Sequence, residues 1–243
     1  MTGLIILAAG ESSRLGKPKQ NLIFNGQTLL QLAVEAGQRS KVDKIVVVLG
    51  AHANEIKPIA ETLTVYNQEW QEGMAASIRQ GMKEIYKDAA VDKVIIMLCD
   101  QPFVNAALLN ALIDKQTKKI KPIIACVYKE TIGVPVLFDR SIFPELMELT
   151  GHDGAKKILN KYADSLSTFK FITHKNFISM ISVKIPHIAN FTHNSNTTIK
   201  IDDKTWGHSN PGVWTHTLES LRTDKTFTPW SAYTGDTNIG DLC

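Results

Sequence analysis

Along residues 1–160 two hydrophobic patterns alternate. Short β-branched apolar runs that end in Gly, Asp or polar residues read as buried strands, at 3–9, 44–49, 93–98, 122–127 and 134–138. Between them lie amphipathic stretches with helical spacing, as at Leu29, Leu30, Ala33 and Val34. This spacing predicts helices over 28–39, 53–63, 77–86, 106–118, 141–149 and 154–162, with a kink at Pro58 in the second. The alternation implies an α/β fold, a three-layer, mainly parallel sheet with helices on both faces. In open sheets of this kind ligands bind outside the carboxyl ends of the strands. Two polar segments follow strands in that way, 10–20 and Asp100-Gln101-Pro102, so both are expected on one rim.

Near Phe169 the rhythm stops. The stretch that follows is rich in Thr, Asn and His, and holds five of the seven histidines and three of the four tryptophans. The expected organisation is therefore a domain at 1–168 and an atypical, partly disordered tail at 169–243. His174, His187, His193, His208 and His216 match no standard metal-ligand spacing. A shifted reading frame, a foreign extension or a divergent appendage would each account for the tail's composition, which on its own leans toward the first.

Composition narrows the function classes. The net charge of +3 over 243 residues is too small to argue for nucleic acid or an acidic membrane surface. No apolar run approaches the roughly 20 residues that span a bilayer. Three distant cysteines, Cys99, Cys126 and Cys243, form neither a zinc pattern nor a disulfide framework. Cys99 and Cys126 sit in apolar runs as reduced core thiols, and the expected location is cytoplasmic.

The candidate chemistry begins where the first strand ends. Ala8, Ala9 and Gly10 are small enough for a ligand to approach the backbone, whose amides in such a turn point at anions. Arg14 offers a fork of donors to phosphate oxygens, and Lys19 adds a compact positive charge beyond the rigid Pro18. A P-loop is excluded, because five residues separate Gly10 from Gly16 and Pro18 follows Lys17. A dinucleotide fingerprint is excluded as well, because Ser12 and Leu15 stand where its second and third glycines belong. The plainer alternative is a basic surface loop.

The segment from Leu7 to Lys19 resembles the LAAGxSxRxGxPK loop of MobA-like nucleotidyltransferases, within the wider GT-A-like fold. The match falls on Leu7, Ala8, Ala9, Gly10, Ser12, Arg14, Gly16, Pro18 and Lys19. The stretch from Trp70 to Gly81 resembles the family's second nucleotide-binding segment, which implies that Gly73, Met74 and Ser77 lie near the base or sugar. Ser77 is expected at a helix start; the plainer reading is an N-capped amphipathic helix. Leu98-Cys99-Asp100-Gln101-Pro102 resembles the acidic strand-end motif, which implies Mg²⁺ on Asp100, a residue otherwise read as a turn or helix cap.

The resemblance spans about residues 3–168. Val134 stands where many relatives have the His of Gly-His-Pro, and His152 stands where the Asp of Gly-Asp-x-Gly-Ala is usual, so neither segment is assigned catalysis. His152 reads as an exposed turn residue. The acidic motif expected after the domain is missing, with Ile201-Asp202-Asp203 the nearest string.

The resemblance implies nucleotidyl transfer with Arg14, Lys19 and Asp100 as catalytic groups. Within the family the nearest subgroup is the molybdenum cofactor cytidylyltransferases. Guanylyl-transferring relatives tend to have Gly in place of Ala9, which favours CTP. The implied acceptor is the phosphate of molybdopterin, with a molybdoenzyme or maturation factor as a protein partner. Two alternatives stay open: another nucleotide or a sugar- or alcohol-phosphate acceptor, and a nucleotide-binding protein that does not catalyse.

Overall fold

Strand β1 (Thr2–Ala8) is buried at every position. It pairs in parallel with β4 (Lys44–Leu49) on one side and β6 (Lys93–Leu98) on the other. A central strand covered on both faces has no solvent side, so its sequence shows an unbroken apolar run. The computed structural model describes residues 1–119, 121–128, 131–152 and 154–170, and beyond these three short strands at 199–201, 204–208 and 227–228. Met1–Glu11 and Leu30–Phe171 form one compact unit, and Ser12–Leu29 belongs with the described residues beyond 171 to another.

The larger unit is built on a seven-stranded sheet in the order β5-β4-β1-β6-β8-β7-β9. The remaining strands are β5 (Leu63–Tyr66), β7 (Ile123–Tyr128), β8 (Thr131–Asp139) and β9 (Ser167–Lys170). Only β8 runs against its neighbours, antiparallel to both β6 and β7. Helices α1 (Leu29–Gln38) and α3 (Ala106–Lys119) send Leu30, Val34, Leu109 and Leu112 into one core with Leu4, Ile6, Val47 and Ile95. Helices α2 (Met74–Tyr86), α4 (Phe143–Met147) and α5 (Lys156–Lys161) send Ile78, Met82, Phe143 and Ile158 into the other, with Ile5, Leu7, Val48 and Ile96. The alternation of Leu4 and Ile6 against Ile5 and Leu7 is the period-2 pleat of one strand feeding two cores. Mainly parallel, with helices on both faces, the fold is the one expected.

The stretch 53–63 departs from expectation, because it is not a helix. A 3₁₀ turn at Ala53–Glu55 ends at Ile56, and irregular chain leads into β5. Pro58 has no amide for the ladder and crowds the preceding turn, so it breaks the helix where a kink was expected. Helix α2 starts at Met74, three residues before the expected start. Cys99 and Cys126 are buried free thiols. Among the described residues no helix is long and apolar enough to cross a membrane.

In the smaller unit Ser12–Leu29 contains the hairpin β2 (Ile23–Phe24) and β3 (Gln27–Thr28). Asn25 and Gly26 turn it with φ of 50° and 82°, the Asn-Gly turn that two-residue hairpins favour. Beyond residue 171, β10 (Ile199–Ile201), β11 (Lys204–His208) and β12 (Phe227–Thr228) pair antiparallel. His174, His187, His193, His216, Cys243 and the Asp202-Asp203 pair lie outside the described residues.

Candidate active site

Four parallel strands deliver their carboxyl ends to one rim of the larger unit. Gly10 and Glu11 follow β1, Gly50 to His52 follow β4, Asn67 follows β5, and Cys99 to Gln101 follow β6. The strand ends are knitted by backbone bonds just past the ladder. The Cys99 amide donates to the Leu7 carbonyl at 3.1 Å, the Ala51 amide to Ala9 at 3.1 Å and the Asn67 amide to Leu49 at 2.8 Å.

Leu7, Ala8 and Ala9 are 6%, 2% and 6% exposed. Their side chains belong to the two cores, so only their backbone can meet a ligand. Gly10 is exposed, its φ lies outside the left-handed range, and a Cβ added to it would meet nothing within 4 Å. Neither conformation nor packing demands a glycine there, and the space beside it is open to a ligand.

Asp100 sits half-buried in the turn after β6, the strand paired with β1. Gln101 fixes this turn: its Oε1 accepts from the Leu98 amide at 3.3 Å, and its Nε2 donates to the Val134 carbonyl at 2.9 Å. Among the described residues no group of three or more His, Cys, Asp or Glu comes together to hold a metal. The Asp100 carboxylate is a hard oxygen donor of the kind Mg²⁺ takes, a cation that keeps several waters and completes its shell with substrate phosphates.

Gly73 precedes α2 with φ of 115°, and a Cβ on it would lie 2.7 Å from His152 Nδ1. The helix therefore begins against the chain at Gly151 and His152. The Ala75 amide donates to the Gly151 carbonyl at 3.3 Å, which caps the helix through backbone where no side chain does so. Arg79 reaches back with two bonds to Glu72, at 2.7 and 2.6 Å, and a third to the Leu149 carbonyl at 2.6 Å. The Arg79 guanidinium draws the Glu72 carboxyl down from 4.5 to about 2. Met74 is 37% exposed, with its sulfur against Gly154. His152 is exposed in its turn.

Ser77 is not at the helix start. It lies one turn in, 5% exposed, and its hydroxyl accepts from Asn67 Nδ2 at 3.0 Å. Gly73 takes the capping position, so Ser77 faces inward and joins α2 to the end of β5. Asn67, equally buried, was not singled out from the sequence; a lone Asn after an unpredicted strand carries no pattern of its own.

In the smaller unit the segment after Glu11 closes on itself through Ser12. Ser12 is left-handed at φ 55°, its carbonyl accepts from the Leu15 amide at 2.8 Å, and its hydroxyl accepts from the Lys19 amide at 3.2 Å. Lys19 opens a 3₁₀ turn, and its side chain is half-buried. Arg14 lies in the 3₁₀ turn Ser13–Leu15, and its side chain is outside the described residues.

A model of the MobA-like NTP transferase domain matches residues 4–166. The purine catabolism protein PucB of Bacillus subtilis is 24% identical over 165 residues, 64% of this chain and 78% of that protein. Nicotine blue oxidoreductase of Paenarthrobacter nicotinovorans is 32% identical over 116 residues, 45% of this chain and 54% of that protein. The crystal structure of Rv0371c from Mycobacterium tuberculosis H37Rv aligns at a TM-score of 0.63 with 28% identity, over 70% of this chain and 87% of that one. The same protein in complex with manganese aligns at 0.60 with 26% identity, over 70% and 88% of the two chains.

Proposed function

The chain belongs to the MobA-like NTP transferase family, whose model covers more than half of its 243 residues, and from that premise we propose a Mg²⁺-dependent nucleotidyltransferase that moves the cytidylyl group of CTP to the phosphate of molybdopterin. The observation that carries this reading is Gly10: a glycine required by neither φ nor packing, with open space beside it, just past the end of β1, the strand paired with the one that leads to Asp100.

In the proposed reaction an acceptor phosphate oxygen forms a bond to the α-phosphorus of the nucleotide. The bond from that phosphorus to the β-bridging oxygen breaks, and pyrophosphate leaves with the electron pair. The acceptor is already anionic near neutral pH, so no strong base is needed, and positioning with charge neutralisation supplies most of the rate. The backbone around Gly10 receives the phosphates, Ser12 shapes the turn that follows, and Arg14 and Lys19 neutralise phosphate charge. Asp100 would hold Mg²⁺, which supplies further charge neutralisation on the triphosphate. Gly73 and Met74 would border the base or sugar, and Ser77 joins the helix they open to Asn67 at the end of β5. The manganese complex of Rv0371c supports a divalent cation in this family member as well.

The preference for CTP rests on Ala9. Its methyl is buried near Gly50, where a Cβ would come within 2.8 Å of it. A glycine at position 9 would therefore act through the packing and freedom of the backbone beside Gly10. A second reading, in which the rim binds a nucleotide without transferring it, draws support from a relative whose name, nicotine blue oxidoreductase, is not that of a transferase.

Thermal shift with CTP, GTP, ATP and UTP, each with and without Mg²⁺, tests both readings. Stabilisation by none overturns them. Pyrophosphate release from CTP with molybdopterin then supports transfer; stabilisation without release under any acceptor supports the second reading. A molybdoenzyme or maturation factor is the proposed protein partner for delivery of the product.

A further inference from the structure

His52 follows β4 and lies beside the Gly10 segment, though neither the motif resemblance nor the proposed chemistry uses it. Its ring is held at both nitrogens. Nδ1 lies 2.8 Å from Glu55 Oε1, and Nε2 lies 2.5 Å from the carbonyl oxygen of Glu11. Both partners are acceptors. A neutral imidazole carries one N–H and one lone pair, so it satisfies one of them and turns a lone pair on the other. Only the imidazolium donates to both.

The geometry around the ring sharpens the consequence. Ala51, the residue before, already donates its amide to the Ala9 carbonyl at 3.1 Å. Two consecutive residues after β4 therefore hold the carbonyls on either side of Gly10, Ala9 through Ala51 and Glu11 through His52. A planar trans peptide sets the next amide opposite its carbonyl, so anchoring the Glu11 carbonyl also fixes the direction of the amide that follows. The charged groups facing the ring among the described residues are the carboxylates of Glu55, on its own turn, and Glu11, on the segment after β1. The hydrogen bond to Glu55, then that to the Glu11 carbonyl, raise the ring's pKa above its ordinary 6.5.

We infer that His52 is a positioning residue for the phosphate-binding segment: as the imidazolium it clamps the Glu11 carbonyl and preorganises the chain around Gly10, and its deprotonation releases that carbonyl. The inference rests on the nucleotide-binding reading above and adds a proton-controlled device to it. When the ring loses its proton, the remaining N–H stays with the stronger acceptor, the Glu55 carboxylate. The Nε2 lone pair then faces the Glu11 carbonyl, and the segment must order itself as nucleotide binds. The sign follows from the raised pKa: the clamp is complete below the ordinary histidine value and is lost as pH rises through the raised one.

The test has two arms. In the first, CTP affinity is measured from about pH 5.5 to about pH 9 for the wild type, His52→Gln and Glu55→Gln. The wild type is expected to bind roughly fivefold more tightly than His52→Gln at the acidic end, the effect of about one hydrogen bond, and the two curves converge at the alkaline end. Titration of the nucleotide's own phosphate is common to all three proteins and cancels in the ratio. Glu55→Gln is expected to move the convergence to lower pH, because the strongest partner of the imidazolium is gone. Parallel curves for the wild type and His52→Gln would overturn the inference.

The second arm needs neither ligand nor variant. In the nucleotide-free wild type, amide hydrogen exchange at Gly10, Glu11 and Ser12, corrected for the intrinsic pH dependence of exchange, is followed alongside the His52 ring titration by NMR. Protection that falls in step with ring deprotonation supports the clamp, and protection indifferent to it overturns it. A wild type that binds no nucleotide at any pH would sink the functional reading, and this second arm would still decide the role of His52.

Discussion

At the scale of single residues, Gly10 and Asp100 separate binding from turnover. A Cβ at Gly10 meets nothing within 4 Å, so Gly10→Val should leave the unfolding midpoint unchanged. Nucleotide affinity should fall roughly tenfold or more, about 1.4 kcal/mol, because the side chain occupies the path to the backbone. Calorimetric titration beside a melting curve checks both; unchanged affinity would remove the Gly10 segment from the binding site. Asp100→Asn keeps the shape and removes the charge that a hard cation needs. Pyrophosphate release should fall roughly a hundredfold or more, and undiminished turnover would take Asp100 out of the metal role. Both residues were legible in the sequence because each follows a buried strand in a doubly covered sheet, where position along the chain fixes position on the rim. Ser77 was legible as a polar residue near a helix start but not in its direction. Whether a hydroxyl faces a ligand or Asn67 depends on where the helix begins, and Gly73 moved that start by three residues.

At the scale of elements, Glu72 and Arg79 tie α2 to the chain at Leu149 and Gly151. The pair bonds at two positions, and Arg79 also donates to the Leu149 carbonyl, so it couples α2 and the 3₁₀ turn before it to the chain after α4. The Glu72 carboxyl is held at about 2 against an ordinary 4.5, a depressed value. Its contribution to stability is therefore complete above about 4.5 and disappears as pH falls toward about 2. Melting curves of the wild type and Glu72→Gln should lie a constant distance apart from neutral pH down to pH 4.5 and converge below it. A gap that persists at the acid end would show that the substitution acts through packing. This link was invisible in the sequence, since Glu72 and Leu149 are far apart and the periodicity of one element says nothing of a bond to another. Strand β5 was missed for a related reason. Only Val65 of its four residues is buried, as befits an edge strand, so no alternation marked it off from the supposed helix before it. The hairpin at Asn25-Gly26 was missed as well, although that dipeptide carries the signal for it.

At the scale of the whole molecule, the change in composition near Phe169 falls inside a strand. Strand β9 (Ser167–Lys170) is the last in the large sheet and pairs in parallel with β7, setting Cys126 opposite Phe169 and Val127 opposite Lys170. Lys115 of α3 donates to the Thr168 carbonyl at 2.5 Å, with its ammonium 5.6 Å from the centre of the Phe169 ring. Phe169 packs half-buried on the core that α1 and α3 share. Composition placed a boundary after 168 because strand residues at a sheet edge are half polar and resemble the Thr- and Asn-rich chain beyond. Pairing and packing join Phe169 and Lys170 to the large sheet. Two shortened chains test this, one ending at Thr168 and one at Lys170. They differ only in Phe169 and Lys170, so whatever the rest of the chain contributes is absent from both. The shorter should be less stable by about 1 to 2 kcal/mol, the apolar area of a half-buried phenylalanine with the end of a ladder, read as a lower urea midpoint at equal slope. Phe169→Ala in the full chain should shift the midpoint in the same direction and by most of the same amount, since the ring carries the larger share of the buried surface. Equal midpoints for the two shortened chains would place the boundary at 168 and leave the ring's contact with the core without energetic weight.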